Sequence, residues 1–211
     1  MRPLLLFFAA FALSLSAKAQ QSAYVMVDTV RLNAAYEALM KKEDADSQRE
    51  YFDAFPKTWM QYIATFQYTR NNVPPTLYST SHKFVNAFSN KLTAISADEY
   101  CKRAIDLCIG AEIDADAPNY LRSMVRQLLN QTDTRKAIFN YLSSLRIGHR
   151  FQFWFFYWSN ITRSKDLEKQ FADFYDSVKN DYSEEANIMF DAYKYAYNNV
   201  NFMSTGYLDG E

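Results

Sequence analysis

Glycine is almost missing from this chain: four in 211 residues, at positions 110, 148, 206 and 210. A β-rich secreted fold needs many turns, and turns consume glycine. Cysteine is limited to Cys101 and Cys108, too few for a fold stapled by disulfides. Neither charge predominates, with 23 Lys and Arg against 24 Asp and Glu. No basic stripe stands out either, so nucleic acid is not an expected partner. His82 and His149 are the only histidines. Neither lies in an HExxH motif or beside a plausible nucleophile, and no GxSxG, P-loop or GxGxxG pattern occurs. Beyond residue 19 no apolar run is long enough to span a bilayer. The sequence therefore names no catalytic, cofactor-binding or metal-ligating residue, and no cofactor or transmembrane anchor is expected.

One apolar run is present, and its position gives it meaning. Arg2 precedes an uncharged stretch from Leu4 to Leu15, and Ala17-Lys18-Ala19 places small residues where a signal peptidase needs them. The pattern reads as a secretory signal over residues 1–19, too short in its apolar part to anchor as a span. Cleavage after Ala19 leaves residues 20–211 as one all-helical domain beginning at Gln20, large enough to bury a core without cross-links. The first cysteine is Cys101, so none follows the signal to take a lipid. Removing Arg2 and Lys18 leaves 21 basic residues against 24 acidic, a net charge of −3.

An exported chain with two cysteines suggests a disulfide, and geometry opposes it. Cys101 and Cys108 fall seven residues apart in a segment that reads as one helix. Their separation along the axis is then about 10 Å, beyond the limit of about 7 Å for bridged Cα atoms. Both are expected reduced and buried; a bridge requires the helix to end between them. Two thiols without a nearby histidine also make a poor metal site.

The abundant residues are aromatic, 17 Phe, 16 Tyr and 3 Trp, and they recur with a helical period. Leu32, Ala35, Tyr36, Leu39 and Met40 form an i, i+3, i+4, i+7, i+8 stripe, and Leu121, Met124, Val125, Leu128 and Leu129 repeat it. Further stripes run through Trp59, Tyr62, Ile63 and Phe66, through Leu167 to Val178, and through Met189 to Val200, with polar residues between. Ser47 with Glu50, and Ser96 with Glu99, read as capping boxes. Ser183 before Glu184 and Glu185, and Asp116 before Ala117-Pro118, read as helix starts. Val73-Pro74-Pro75 marks a loop over about residues 70–79. These signals predict an all-α single domain of about eight to ten amphipathic helices in irregular antiparallel pairs. The helices fall near 27–41, 47–55, 57–68, 80–92, 97–110, 117–130, 133–145, 149–160, 164–180 and 183–200, with a loose tail from Asn201. The last two should form an antiparallel hairpin. No fixed repeat length occurs.

Three constellations carry potential chemistry. Phe151-Gln152-Phe153-Trp154-Phe155-Phe156-Tyr157-Trp158 holds seven aromatics in eight positions. It reads as a helix buried on all sides, flanked at the surface by His149-Arg150 and Ser159-Asn160; the rival reading is a surface for glycans or membranes. Glu112, Asp114 and Asp116 cluster three carboxylates. A calcium loop starting at Asp114 needs Gly where Asn119 stands and Glu where Val125 stands, so helix capping and solvation are expected instead. Arg122 and Arg126 lie one turn apart, away from the Leu121–Leu129 stripe. They read as the wet face of a helix, a pair also able to hold an anionic group. Two carboxylates converging in space are enough for a glycosidase, which spacing alone does not exclude.

Two segments carry a resemblance: Tyr51-Phe52-Asp53-Ala54-Phe55-Pro56 followed by Trp59 and Phe66, and Gly110-Ala111-Glu112-Ile113-Asp114-Ala115-Asp116-Ala117-Pro118-Asn119-Tyr120. Together they resemble small, signal-bearing, helical proteins of unknown function found in Bacteroidota, over about residues 47–200. The resemblance implies a compartment outside the inner membrane and no catalytic or binding residue. The expected function is that of a non-enzymatic binding protein of the envelope, periplasmic or secreted, acting on another protein or peptide. An immunity or inhibitor protein is one form of this. The alternative is a carboxylate-dependent cell-wall or glycan hydrolase.

The export reading has a direct test. Osmotic shock should release a protein whose N-terminal sequence starts at Gln20; an extracytoplasmic species that keeps Met1 refutes the cleavage.

Overall fold

The apolar periodicity resolves into ten α-helices among the described residues, which are 26–68, 71, 76–112, 117–159 and 164–205 of a computed structural model. In chain order they are α1 Thr29–Lys41, α2 Ala45–Ala54, α3 Trp59–Phe66, α4 Ser81–Asn90, α5 Ala97–Cys108, α6 Ala117–Asn130, α7 Thr132–Ser143, α8 Ile147–Trp158, α9 Lys165–Val178 and α10 Ser183–Thr205. No strand occurs among these residues. The fold is all-α, and its buried apolar side chains join in one core. The signal segment, Pro74-Pro75, Asp114 and Asp116 lie outside the described residues.

Helix starts follow local chemistry, with one displacement from expectation. Asp44, not Ser47, caps α2: its carboxylate accepts from the Ser47 backbone N–H at 3.0 Å, and the Ser47 hydroxyl accepts from the Asp44 N–H. The reciprocal box exists three residues upstream, because an aspartate satisfies the same orphan donor as a serine. Ser96 caps α5 through the Glu99 N–H as expected. Glu99, however, turns its carboxylate to Arg49 with two bonds of 3.0 and 2.8 Å. Gly110, at φ +75°, follows the end of α5, where a residue without Cβ takes the left-handed turn at least cost. Ser183 is the first residue of α10 rather than its cap, and that helix runs on through Asn201 to Thr205.

The first five helices close around aromatic rings. Phe55 stacks on Phe88 at 4.2 Å between centroids and meets Phe66 at 5.8 Å. Tyr51 is fully buried and donates its hydroxyl to the Phe84 carbonyl at 2.7 Å, which ties α2 to α4. Arg103 reaches from α5 to the carbonyls of Phe52 and Phe55 at 3.0 and 3.4 Å, with its guanidinium 4.4 Å from the Phe52 ring centroid. A cation there satisfies the open carbonyls at the C-terminus of α2. Cys101 and Cys108 both lie on α5, buried and free, as the helical spacing predicts.

The second half is built around α8. Phe153, Trp154, Phe156, Tyr157 and Trp158 are buried. Phe151 and Phe155 are only partly buried and meet the exposed Tyr195 of α10 at 5.9 and 5.6 Å. The aromatic run is therefore core on most of its circumference and not on all sides. Its flanks differ from expectation too, since Arg150 and Ser159 are buried. The reason is a partner on α10. Arg150 Nε and Nη2 both reach Glu185 Oε2 at 2.7 Å, while Nη1 reaches the exposed Glu184 at 2.6 Å. Glu185, only 4% exposed, also accepts from the Trp154 indole N–H through Oε1.

This node sets the helix directions. Arg150 meets Glu185 at one end of the α8–α10 contact, and Trp158 meets Tyr193 at the other, so the two helices run the same way. Tyr175 meets Phe190, Phe171 stacks on Tyr193 at 3.8 Å, and Glu168 accepts from the Tyr197 hydroxyl. That reversed order makes α9 and α10 the antiparallel hairpin that their short connection predicts.

Two stability measurements check this packing. Trp154 contacts Phe139, Phe174 and Glu185 as well as its own helix, so Trp154→Ala should cost about 3–5 kcal/mol and Phe155→Ala clearly less. An unchanged urea midpoint for Trp154→Ala contradicts the core assignment. Arg150→Met alone strands a buried carboxylate and should cost about 3–5 kcal/mol. Adding Glu185→Leu should recover part of that loss, and strict additivity in the double-mutant cycle rules out the pair as a coupled unit.

Candidate functional site

Helical geometry separates most of the polar residues that the sequence brought to notice. His82 lies on α4 and His149 on α8, both exposed. Glu112 is exposed just after α5, while the other two carboxylates of its cluster fall outside the described residues. Among the described residues no group of three or more His, Cys, Asp or Glu gathers as metal ligands do. Burial pushes the Cys101 thiol up to about 11 and raises Cys108 as well. Both are therefore thiols at neutral pH, when only the thiolate is a strong nucleophile.

His82 joins a groove of about 280 Å³ between α4 and α6. The floor is apolar, from the buried Val85 and Met124. Its walls carry Asn86, Ser89, Asn90, Tyr120, Ser123 and Gln127, with no Asp, Glu, Lys or Arg among the described residues. Helical spacing creates this arrangement. Positions 82, 86, 89 and 90 share one face of α4, and positions 120, 123, 124 and 127 share one face of α6. Tyr120 stands 43% exposed at the groove. The Asn90 amide donates to the Asn86 side-chain oxygen at 2.6 Å, which fixes one wall. The sequence hid this groove, because its members are ordinary surface polar residues until two helices bring them together.

A second groove, between α2 and α5, is lined by Phe52, Lys57, Glu99, Lys102, Arg103 and Asp106. Its carboxylates are occupied. Glu99 pairs with Arg49, and Asp106 accepts from the Tyr141 hydroxyl at 2.7 Å and from Lys102 at 3.0 Å.

The other side of α6 carries Arg122 and Arg126; the wet-face reading holds for the exposed Arg126 and is corrected for Arg122. Arg122 is partly buried, its guanidinium 5.3 Å from the Phe156 ring centroid. Its Nε and Nη2 are buried and have no hydrogen-bond partner. Burial pushes its pKa down, and the nearby Arg126 pushes it further in the same direction. Arg126 is exposed and lies near the Tyr157 hydroxyl, whose pKa burial raises and Arg126 draws back down. The stripe of α6 is packed inward as predicted. Arg122 is covered because α8 brings Phe156 and Tyr157 across it, a tertiary fact that residue spacing does not contain. Comparison with known protein families, with curated proteins and with solved structures finds no match for this chain.

Proposed function

We propose that this protein is a non-enzymatic binding protein of the cell envelope, exported by its N-terminal signal, that holds a peptide segment of another protein in the groove between α4 and α6. The observation that carries the reading is the groove lining, an apolar floor with amide, hydroxyl and imidazole walls. A peptide main chain presents one donor and one acceptor per residue and no charge. Side-chain amides offer both kinds of partner. Tyr120 adds a large, stiff apolar surface of the type that anchors interfaces. The chain's resemblance to signal-bearing helical proteins supports the compartment. An immunity or inhibitor protein against a secreted toxin is one concrete form of this function.

No observation favours the glycan hydrolase. That chemistry needs two available carboxyl groups facing each other across roughly 5–9.5 Å. Glu185, the buried carboxylate among the described residues, has both oxygens engaged, and Glu99 and Asp106 are likewise held.

The experiment is a pull-down from the organism's own envelope fraction with three baits: the wild-type mature protein, Tyr120→Ala/Gln127→Ala, and Tyr195→Ala. Both aromatic positions are exposed, so each variant should keep its stability within about 0.5 kcal/mol. One protein should be retained by wild type and by Tyr195→Ala, and lost from the groove variant. Equal retention by all three baits refutes the groove.

A further inference from the structure

We propose that Arg122 and Arg126 form a binding site for a phosphoryl dianion, either free phosphate or the phosphate of a monoester. The site lies away from the α4–α6 groove, on the side of α6 that faces Phe156 and Tyr157 of α8. It is independent of the peptide reading.

The first argument is the free edge of Arg122. Its unpartnered atoms are Nε and Nη2. These two N–H groups point the same way and form the side-on fork by which arginine grips two oxygens of one oxyanion. A buried donor without an acceptor is destabilising, and a buried charge without a counter-charge more so. Elsewhere the chain meets this demand. Arg103 has two carbonyl acceptors and Arg150 has two carboxylates. Arg122 is the exception among these guanidinium groups.

The second argument is the charge around it. Among the described residues, the groups that act electrostatically on Arg122 are Arg126, Cys108 and Tyr157. The first is a second cation and the others are neutral at pH 7, so no carboxylate among them supplies the balance. Four residues along a helix advance about 6 Å, so the two guanidinium groups reach a shared ligand from successive turns. A carboxylate neutralises only one of them. A phosphoryl group carries close to two charges at neutral pH and offers three acceptor oxygens, enough for the Arg122 fork and a bond from Arg126. The Phe156 ring under Arg122 holds the guanidinium plane in place; Arg126 is exposed to solvent, and a ligand that reaches the covered Nε and Nη2 must displace the side chains over them.

The test titrates the mature protein at constant ionic strength with inorganic phosphate, with phenyl phosphate, and with acetate as the control. Binding is read by calorimetry and by melting temperature. Saturable binding of phosphate supports a free-ion site, and binding of phenyl phosphate alone supports an esterified one. Arg122→Lys keeps the charge and loses the fork, so affinity should fall about 10- to 100-fold; Arg126→Gln should weaken it as well. In buffer free of phosphate, Arg122→Met should melt no lower than wild type, because it removes an unpaired buried charge, and phosphate should no longer raise its melting temperature. Failure of both phosphates to saturate the wild type overturns the proposal, as does equal stabilisation by acetate. It is also overturned if Arg122→Met and Asp114→Asn/Asp116→Asn each destabilise the phosphate-free protein to the same extent. In that case the chain's own acidic segment supplies the counter-charge. Wild-type titration and Arg126→Gln decide the matter even where Arg122→Met does not fold.

Discussion

Glu185 sits in the first turn of α10 with both oxygens committed, one to the Arg150 guanidinium and one to the Trp154 indole. Much of the second half of the fold depends on that carboxylate. Its negative charge suits the positive end of the helix that carries it. Its two partners lie one turn apart on α8, so a single side chain fixes both the rotation of α8 and its register against α10. Trp154 then carries the constraint outward, since its ring also touches Phe139 of α7 and Phe174 of α9. An apolar contact of equal area would tolerate sliding by part of a turn. Bidentate pairing combined with an indole bond does not, because a slip strands buried polar atoms.

The first half reaches a similar end with less charge. Rings of Tyr51, Phe55, Phe66 and Phe88 interlock across three helices, and polar bonds to backbone carbonyls orient them. Arg103 closes the C-terminus of α2, and Gln48, also buried, accepts from the Ala94 backbone N–H at 2.7 Å. Both devices fasten a helix end to a neighbour through main-chain groups that would otherwise need water. Several connections between helices are short, a single residue between α6 and α7, and the ends of helices are held by side chains. α5 lies between the halves, packed on α3, α6, α7 and α8. That position explains why its two cysteines are buried.

Most of the fold was legible because one physical signal dominates it. An apolar stripe every three to four residues sets both the existence and the inward face of each helix. All ten expected segments are present, each within a few residues of its predicted ends. The small errors have local causes. Asp44 and Ser47 compete as caps of α2, and sequence alone does not rank an aspartate three residues upstream above a serine followed by glutamate. The larger misreadings concern charge. Arg150 reads as a surface residue because arginine usually stays there unless paired, and its partners lie 34 and 35 residues away. Arg122 falls on a wet face by helical phase, and phase does not reveal that α8 crosses that face. Periodicity predicts which residues turn inward; it does not predict which polar residues are covered by a distant helix.

The same limit explains why function was less legible than fold. A catalytic motif announces itself through residue types that are rare in one place, and this chain concentrates no such types. What it has instead are common residues made special by position. Asn86, Ser89, Ser123 and Gln127 are unremarkable on a helix surface and line one groove only when α4 and α6 lie side by side. Arg122 differs from the other partly or fully buried arginines only in what its neighbours fail to offer. Arg103 and Arg150 serve the fold, since their acceptors belong to the chain. Arg122 instead has two buried nitrogens without an acceptor, and the charged group that acts on it most among the described residues is Arg126. Arg122 rests on the Phe156 ring but finds no acceptor for its Nε and Nη2, and that one missing partner, which no residue pattern announces, is what sets it apart from Arg103 and Arg150.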